Sequence, residues 1–147
     1  MTGVNSVDRA RIVAEARSWI GTPYHHQASV KGFGCDCLGL VRGVWRALHG
    51  EEPEAIPPYS RDWAEAGGRE TLAEAAARHL RWSSPSCMLP GDVLIFALNE
   101  RAPAKHCAIL TEPDRMVHSY ERHAVAEVSL TPWWRRRLRF VFSFPGC

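Results

Sequence analysis

Residues 34–40 read Gly34-Cys35-Asp36-Cys37-Leu38-Gly39-Leu40, and the apolar positions after them, Val41, Val44, Trp45 and Leu48, recur at helical spacing up to Gly50. An aspartate ahead of such a run is a helix cap. The stretch therefore predicts a helix that opens at Asp36 or Cys37, runs to Leu48 and stops at Gly50. Cys37 then lies in the first turn, where unpaired N–H groups and the positive end of the helix dipole favour a thiolate over a thiol. The same N–H groups can hold an oxyanion while an attacked carbonyl becomes tetrahedral. Gly39 leaves room for a substrate or for a neighbouring strand. A cysteine here is equally at home as a small buried hydrophobe, so the nucleophile reading needs a partner.

Upstream, Ile12, Val13, Ala16, Trp19 and Ile20 form the apolar face of a helix expected over residues 7–20, capped by Asn5 or Ser6 and ended by Gly21 and Pro23. Downstream, an Ala- and Glu-rich helix is expected over residues 69–80, on the surface, with a short helical turn at 62–66 ahead of it. After the Pro-rich break at 83–91 the period falls to about two. Strands are expected at 93–98 (buried), 106–110, 116–120, 125–130 and 138–144, with 132–137 as a connector. Helices first and a meander of strands afterwards imply an α+β fold, the N-terminal helices packed on one side of a C-terminal antiparallel sheet.

The partner is sought in the strands. His106, Ala108 and Leu110 share one face of their strand, and Met116, His118 and Tyr120 share one face of the next. Glu112-Pro113-Asp114 is a turn signal between them, and its length decides the geometry. A two-residue loop with a regular ladder puts the histidines on opposite faces. A three-residue loop pairs Ala108 with His118, so that His106 and His118 become diagonal neighbours on one face. An odd loop or a bulge is the expectation, with Cys37 as nucleophile, His106 as base and His118 as the group that orients the imidazole.

The whole chain sets limits on this reading. Its 147 residues suit a single catalytic domain over 1–147, and 46% hydrophobic with 23% charged residues is the balance of a globular protein. No run approaches eighteen apolar residues, so membrane insertion is not expected. A net charge of +2 is too mild to imply nucleic acid. The first twenty residues carry Asp8, Arg9, Arg11, Glu15 and Arg17 where a secretion signal needs an apolar stretch, so none is expected. Five cysteines are too few and too unevenly matched for a disulfide framework. Cys35, Cys37, Cys107 and His106 lack the Cys-x₂₋₄-Cys spacing of structural zinc sites, so neither a metal nor a cofactor is expected. Cys35, Cys87, Cys107 and Cys147 are assigned no role. His25, His26 and Gln27 either line the cleft or belong to a surface loop, and His49, His79 and His123 are expected at the surface without a partner.

Asp36-Cys37-Leu38-Gly39-Leu40-Val41, preceded by Gly21-Thr22-Pro23-Tyr24, resembles the nucleophile region of the NlpC-type cell-wall cysteine peptidases. Pro90-Gly91-Asp92-Val93-Leu94 and His106-Cys107-Ala108-Ile109-Leu110 resemble two later motifs of that family, in the right order. Residues 21–37 are similar specifically to its bacteriophage and gene-transfer-agent branch. The resemblance implies a papain-like α+β domain that hydrolyses an amide of peptidoglycan stem peptides, between D-glutamate and a diamino acid. It also implies Cys37, His106 and His118 as the catalytic set, Tyr24 as a hydroxyl that polarises the carbonyl, and Asp36 as a substrate contact or helix cap. Leu38 departs from the serine that many relatives carry after the nucleophile. By the same resemblance the enzyme would ride in a phage-like tail, contact tail or baseplate hub proteins, and act in the periplasm of a target cell. Trp133-Trp134-Arg135-Arg136-Arg137-Leu138-Arg139 is then either a solvated turn with its tryptophans on the sheet or a tail-protein interface. A structural tail component with little activity, or a cysteine amidase or acyltransferase on another substrate, is the alternative.

Overall fold

The computed structural model describes residues 8–54 and 70–147. Its elements are α1 (Arg9–Arg17), β1 (Ser29–Val30), β2 (Gly34–Cys35), α2 (Cys37–His49), α3 (Thr71–His79), β3 (Arg81–Ser83), β4 (Val93–Phe96), β5 (His106–Glu112), β6 (Arg115–His118), β7 (Ala126–Ser129), α4 (Pro132–Arg135) and β8 (Leu138–Ser143). The six strands β3 to β8 form one antiparallel sheet in the order β3-β8-β4-β5-β6-β7, and β1 and β2 form a separate hairpin. This is the expected α+β architecture.

Alternation along β4 and β5 divides the core in two. Val93, Ile95, Cys107, Ile109, Val117 and Phe142 meet Ile12, Ala16, Leu40 and Val44 of α1 and α2 on one face. Leu94, Phe96, Ala108, Leu110, Met116 and Val141 are covered on the other by Leu130, Trp134 and Leu138, so the central strand is buried on both sides. Residues 132–137, expected as a plain connector, contain the single helical turn α4, capped by Thr131.

The helices have local causes. Asp8, not Asn5 or Ser6, caps α1 by accepting from the Ala10 N–H at 2.9 Å, and the helix is shorter than its apolar pattern. Its next residue, Arg9, is tied to Asp92 at 2.7 Å. Asp92 is buried and also accepts from Ser143 Oγ and the Leu89 N–H, each at 2.8 Å, which fastens the Pro-Gly-Asp turn beneath α1. α3 is not a purely surface helix, since Leu72 and Ala73 are buried. The turn expected at 62–66 lies outside the described residues. β1, β2 and β3 have only two or three residues each, too few to leave a periodicity.

α1 packs on α2 through Gly43, where a Cβ would stand 2.0 Å from the Trp19 ring. Gly43→Ala is expected to lower unfolding stability by about 2 kcal/mol despite the better helix propensity of alanine, because the ring is buried and has no space to retreat. Urea unfolding followed by tryptophan fluorescence measures it. An unchanged midpoint would contradict the packing described.

Candidate active site

Cys37 is the first residue of α2. Asp36 caps the helix, its Oδ1 accepting from the Gly39 N–H at 2.7 Å and its Oδ2 from the Gln27 N–H at 2.8 Å. Asp36 thus caps the helix and ties the preceding loop to it, while also lining the cleft that contains Cys37. Of the two readings of Gly39, the neighbour is correct: a Cβ there would stand 1.9 Å from the Ala28 carbonyl oxygen. The first intrahelical bond runs from the Leu40 N–H to the Asp36 carbonyl. The amides of Cys37 and Leu38 thus stand ahead of it at the positive end of the helix.

The hairpin β5–β6 has a two-residue turn at Pro113-Asp114 and a bulge at Thr111. Ile109 lies opposite Val117 and Leu110 opposite Met116, the parity of the three-residue loop, reached by the extra residue. His106 and His118 accordingly share a face, and His106 Nε2 is 2.9 Å from His118 Nδ1. Both rings are buried.

α2 packs against β5 and delivers Cys37 to the place where that strand begins, with Sγ 3.7 Å from the Lys105 carbonyl oxygen. There the Cys107 thiol and the His106 imidazole are the groups that most strongly stabilise the ionised form of Cys37. Cys107, to which no role was assigned, belongs to the core cluster against which Cys37 packs. Strand alternation points it away from His106, but α2 approaches from that side, so a group at the strand's end touches both residues.

Electrostatics separate the sulfurs. Cys37 is held well below the usual thiol range, first by the Cys107 S–H donating to it and then by the hydrogen bond and charge of His106, against opposition from burial and Asp36. Cys107 is pushed well above that range, first by its bond to Cys37 and then by burial, so it remains the donor. Burial, first, pushes Cys35 up to about 11. Only Cys37 of these three is poised to ionise. Cys107→Val is expected to raise the Cys37 pKa, by removing the S–H that favours the thiolate. The pH dependence of iodoacetamide alkylation at Cys37, read by mass spectrometry, measures it. An unmoved midpoint would return Cys107 to a packing role.

His118 is driven down to about 3, mainly by burial and then by the like charges of His106 and His123. A neutral His118 can accept at Nδ1, and the tautomer in which His106 donates its Nε2–H there leaves His106 Nδ1 free to take a proton. Aromatic rings brace this pair. Trp134 stacks on His106 with centroids 5.3 Å apart and meets His118 edge-on at 5.4 Å. Tyr120 stacks on His118 at 5.7 Å, and His123 stacks on Tyr120 at 6.0 Å. Neither Trp134 nor His123 was marked for the site by the sequence. For Trp134 the available signal was its place in an aromatic pair next to a strand that pairs with β4.

Tyr24, His26, Asp36, Cys37, Leu72, Lys105, His106, Tyr120, Glu121 and Arg122 surround one cleft of about 290 Å³. Tyr24 thus shares the cleft with Cys37, held by a bridge to Cys35. Of the three loop residues His25, His26 and Gln27, only His26 reaches the cleft wall. The segment between Trp45 and Trp82 contributes Leu72. His49 packs on Trp45, and His79 is 3.1 Å from Glu54, so neither is the partnerless surface residue expected. Among the described residues no group of three or more His, Cys, Asp or Glu is placed to hold a metal ion, and no helix is long and apolar enough to cross a membrane.

Known proteins carry the same arrangement of elements. The NlpC/p60 domain of the peptidoglycan hydrolase SagA is 26% identical, covers 94% of this chain and all of its own, and superimposes with a TM-score of 0.65. RipD of Mycobacterium tuberculosis, described as a non-catalytic NlpC/p60 domain protein adapted to peptidoglycan binding, is 12% identical over 95% of this chain and 98% of its own, with a TM-score of 0.56. A curated relative, the gamma-DL-glutamyl hydrolase of Bacillus subtilis strain 168, is 25% identical over 134 residues, 90% of this chain. The chain spans only 29% of that relative's length. The NlpC/P60 family model matches residues 21–142, which takes in the nucleophile loop, α2 and the sheet through β8; the chain belongs to the NlpC/P60 family.

Proposed function

We propose that this protein is a cysteine endopeptidase that hydrolyses stem-peptide amides of peptidoglycan, at the bond between D-glutamate and a diamino acid. A shared fold does not decide this, because the family contains a non-catalytic member. The observation that carries it is a polar cleft lined by Cys37, whose thiol is held well below the usual range, and by His106, which is hydrogen-bonded at 2.9 Å to the buried His118 behind it. The similarity to a peptidoglycan hydrolase domain and to a glutamyl hydrolase supports the choice of substrate.

In this reading the Cys37 thiolate attacks the carbonyl carbon, and the Cys37 and Leu38 amides with the Tyr24 hydroxyl receive the oxyanion. His106, holding the proton taken from the thiol, gives it to the departing amine as the C–N bond breaks and a thioester forms. His106 then takes a proton from water, whose oxygen attacks the thioester, and the thiolate leaves. His118 accepts the Nε2–H of the imidazolium throughout and so fixes its orientation.

The similarity of residues 21–37 to the phage and gene-transfer-agent branch supports a tail-borne enzyme that meets the wall from the periplasm of a target cell, with tail or baseplate hub proteins as its carriers. Incubation with L-alanyl-γ-D-glutamyl-diaminopimelyl peptide, followed by mass spectrometry, is expected to give L-Ala-D-Glu and free diaminopimelate. Uncut peptide under reducing conditions, or products from another bond, would overturn the proposed reaction. Immunoblotting of purified particles tests the carrier separately.

A further inference from the structure

Arg122 occupies a backbone conformation that an arginine has no local reason to adopt. Among the described non-glycine residues only Gln27 and Arg122 have positive φ, at 68° and 70°. For Gln27 the conformation aims its N–H at Asp36, 2.8 Å away, and the cap of α2 depends on it. Arg122 is the third residue of a turn closed by the His123 N–H on the Tyr120 carbonyl at 2.9 Å, a position that glycine or asparagine fills at lower cost. Left-handed strain of about 1 kcal/mol retained on a wall of a candidate active site calls for a compensating use.

The guanidinium supplies one. Arg17, Arg42, Arg46 and Arg78 each bind a carboxylate of this chain, whereas Arg122 is exposed and no hydrogen bond or ion pair holds it among the described residues. It lines the cleft that contains Cys37 and also the shallower groove beyond Tyr24, bounded by Pro23, His123 and Ala124. Its turn is fastened at both ends. Tyr120 stacks on His118, His123 stacks on Tyr120, and Ser119 Oγ donates to the Cys35 carbonyl at 2.8 Å. The turn that carries this cation is thus fastened beside the histidine pair, and among the described residues no side chain or backbone carbonyl accepts from its guanidinium. Glu121 shares the wall, so a ligand anion must approach the fork of Arg122 and not the cleft at large.

We infer that Arg122 is a carboxylate-binding residue of the cleft, which recognises the free α-carboxylate of the D-glutamyl residue whose side-chain amide is cut. This rests on the function proposed above, because that residue is attached through its γ-carbonyl and carries its α-carboxylate beside the scissile bond. A guanidinium matches a carboxylate with two parallel N–H···O bonds and matches a carboxamide poorly.

The test uses two stem peptides that differ only in that group, α-carboxylate or α-carboxamide. The parent protein is expected to cleave the carboxylate form with at least about tenfold higher kcat/KM. Arg122→Gly removes the charge and also relaxes the backbone, so misfolding does not account for a loss; it is expected to abolish the preference through a raised KM. Arg122→Lys should retain part of it. Titration calorimetry of both peptides on Cys37→Ala, with and without Arg122→Gly, reads the same preference without turnover. Equal affinity for the two peptides on Cys37→Ala, or an equal loss for both on Arg122→Gly, overturns the inference. A preference in binding with no cleavage by the parent would uphold Arg122 and sink the proposed reaction instead.

Discussion

Cys37→Ala is expected to lower kcat/KM on the stem peptide by about 10⁴-fold or more while leaving the fold intact, since the proposed acyl intermediate forms on the Cys37 sulfur. The side chain is only partly enclosed, and Asp36 caps α2 through its own carboxylate, so an alanine disturbs neither the helix nor its loop. Cys37→Ser is expected to fare almost as badly. The cluster lowers a thiol pKa by donating to sulfur, but a serine hydroxyl starts far higher and remains protonated beside His106. Circular dichroism establishes the fold, and chromatographic product release gives the rate. Residual activity above 1% in the alanine variant would remove Cys37 from the chemistry. Alkylation at pH 6 should confirm the order of reactivity: Cys37 reacts early, and Cys35 and Cys107 stay intact as buried thiols.

The place of Cys37 at the start of α2 was legible because helix starts follow local rules. Asp36, Cys37 and Gly50 lie where cap, first turn and stop must lie, and no tertiary contact competes with them. The histidine pair was legible by parity: either an odd loop or a bulge places both rings on one face, and the chain uses the bulge at Thr111. What escaped was set by contacts distant in sequence. Three residues competent to cap α1 stand near its start, and the choice of Asp8 goes with the anchoring of Arg9 on Asp92, 83 positions away. Cys107 was assigned no role, and it is the packing of α2 on β5 that brings it beside Cys37. Trp134 reaches His106 because β8 lies beside β4 in the sheet, an adjacency that local pattern does not encode.

His118 yields the second large effect, and the choice of substitution separates its roles. His118→Leu keeps the bulk but leaves the buried Nε2–H of His106 without an acceptor 2.9 Å away, so the imidazole loses both its tautomer and its orientation. A fall in kcat of about 10³-fold is expected, with KM nearly unchanged, by analogy with other orienting groups in such triads. His118→Asn places Oδ1 where Nδ1 stands and is expected to recover at least tenfold of that loss. Equal activity in the two variants would show that packing, not acceptance of the hydrogen bond, is what the position supplies. Stability gives an independent reading. The folded pKa of about 3 lies below the unfolded value near 6.5, so the unfolded chain binds the extra proton as pH falls. His118 therefore withdraws up to about 1.4 kcal/mol of stability for each pH unit between the unfolded value near 6.5 and the folded value of about 3, an effect absent above that window. Urea midpoints of the parent protein should decline between pH 6.5 and 4.5 more steeply than those of His118→Asn, which has nothing to protonate at this position. Parallel curves would mean that the His118 ring is hydrated enough to take its proton in the folded state, and the neutral acceptor on which the orientation of His106 depends would go with it.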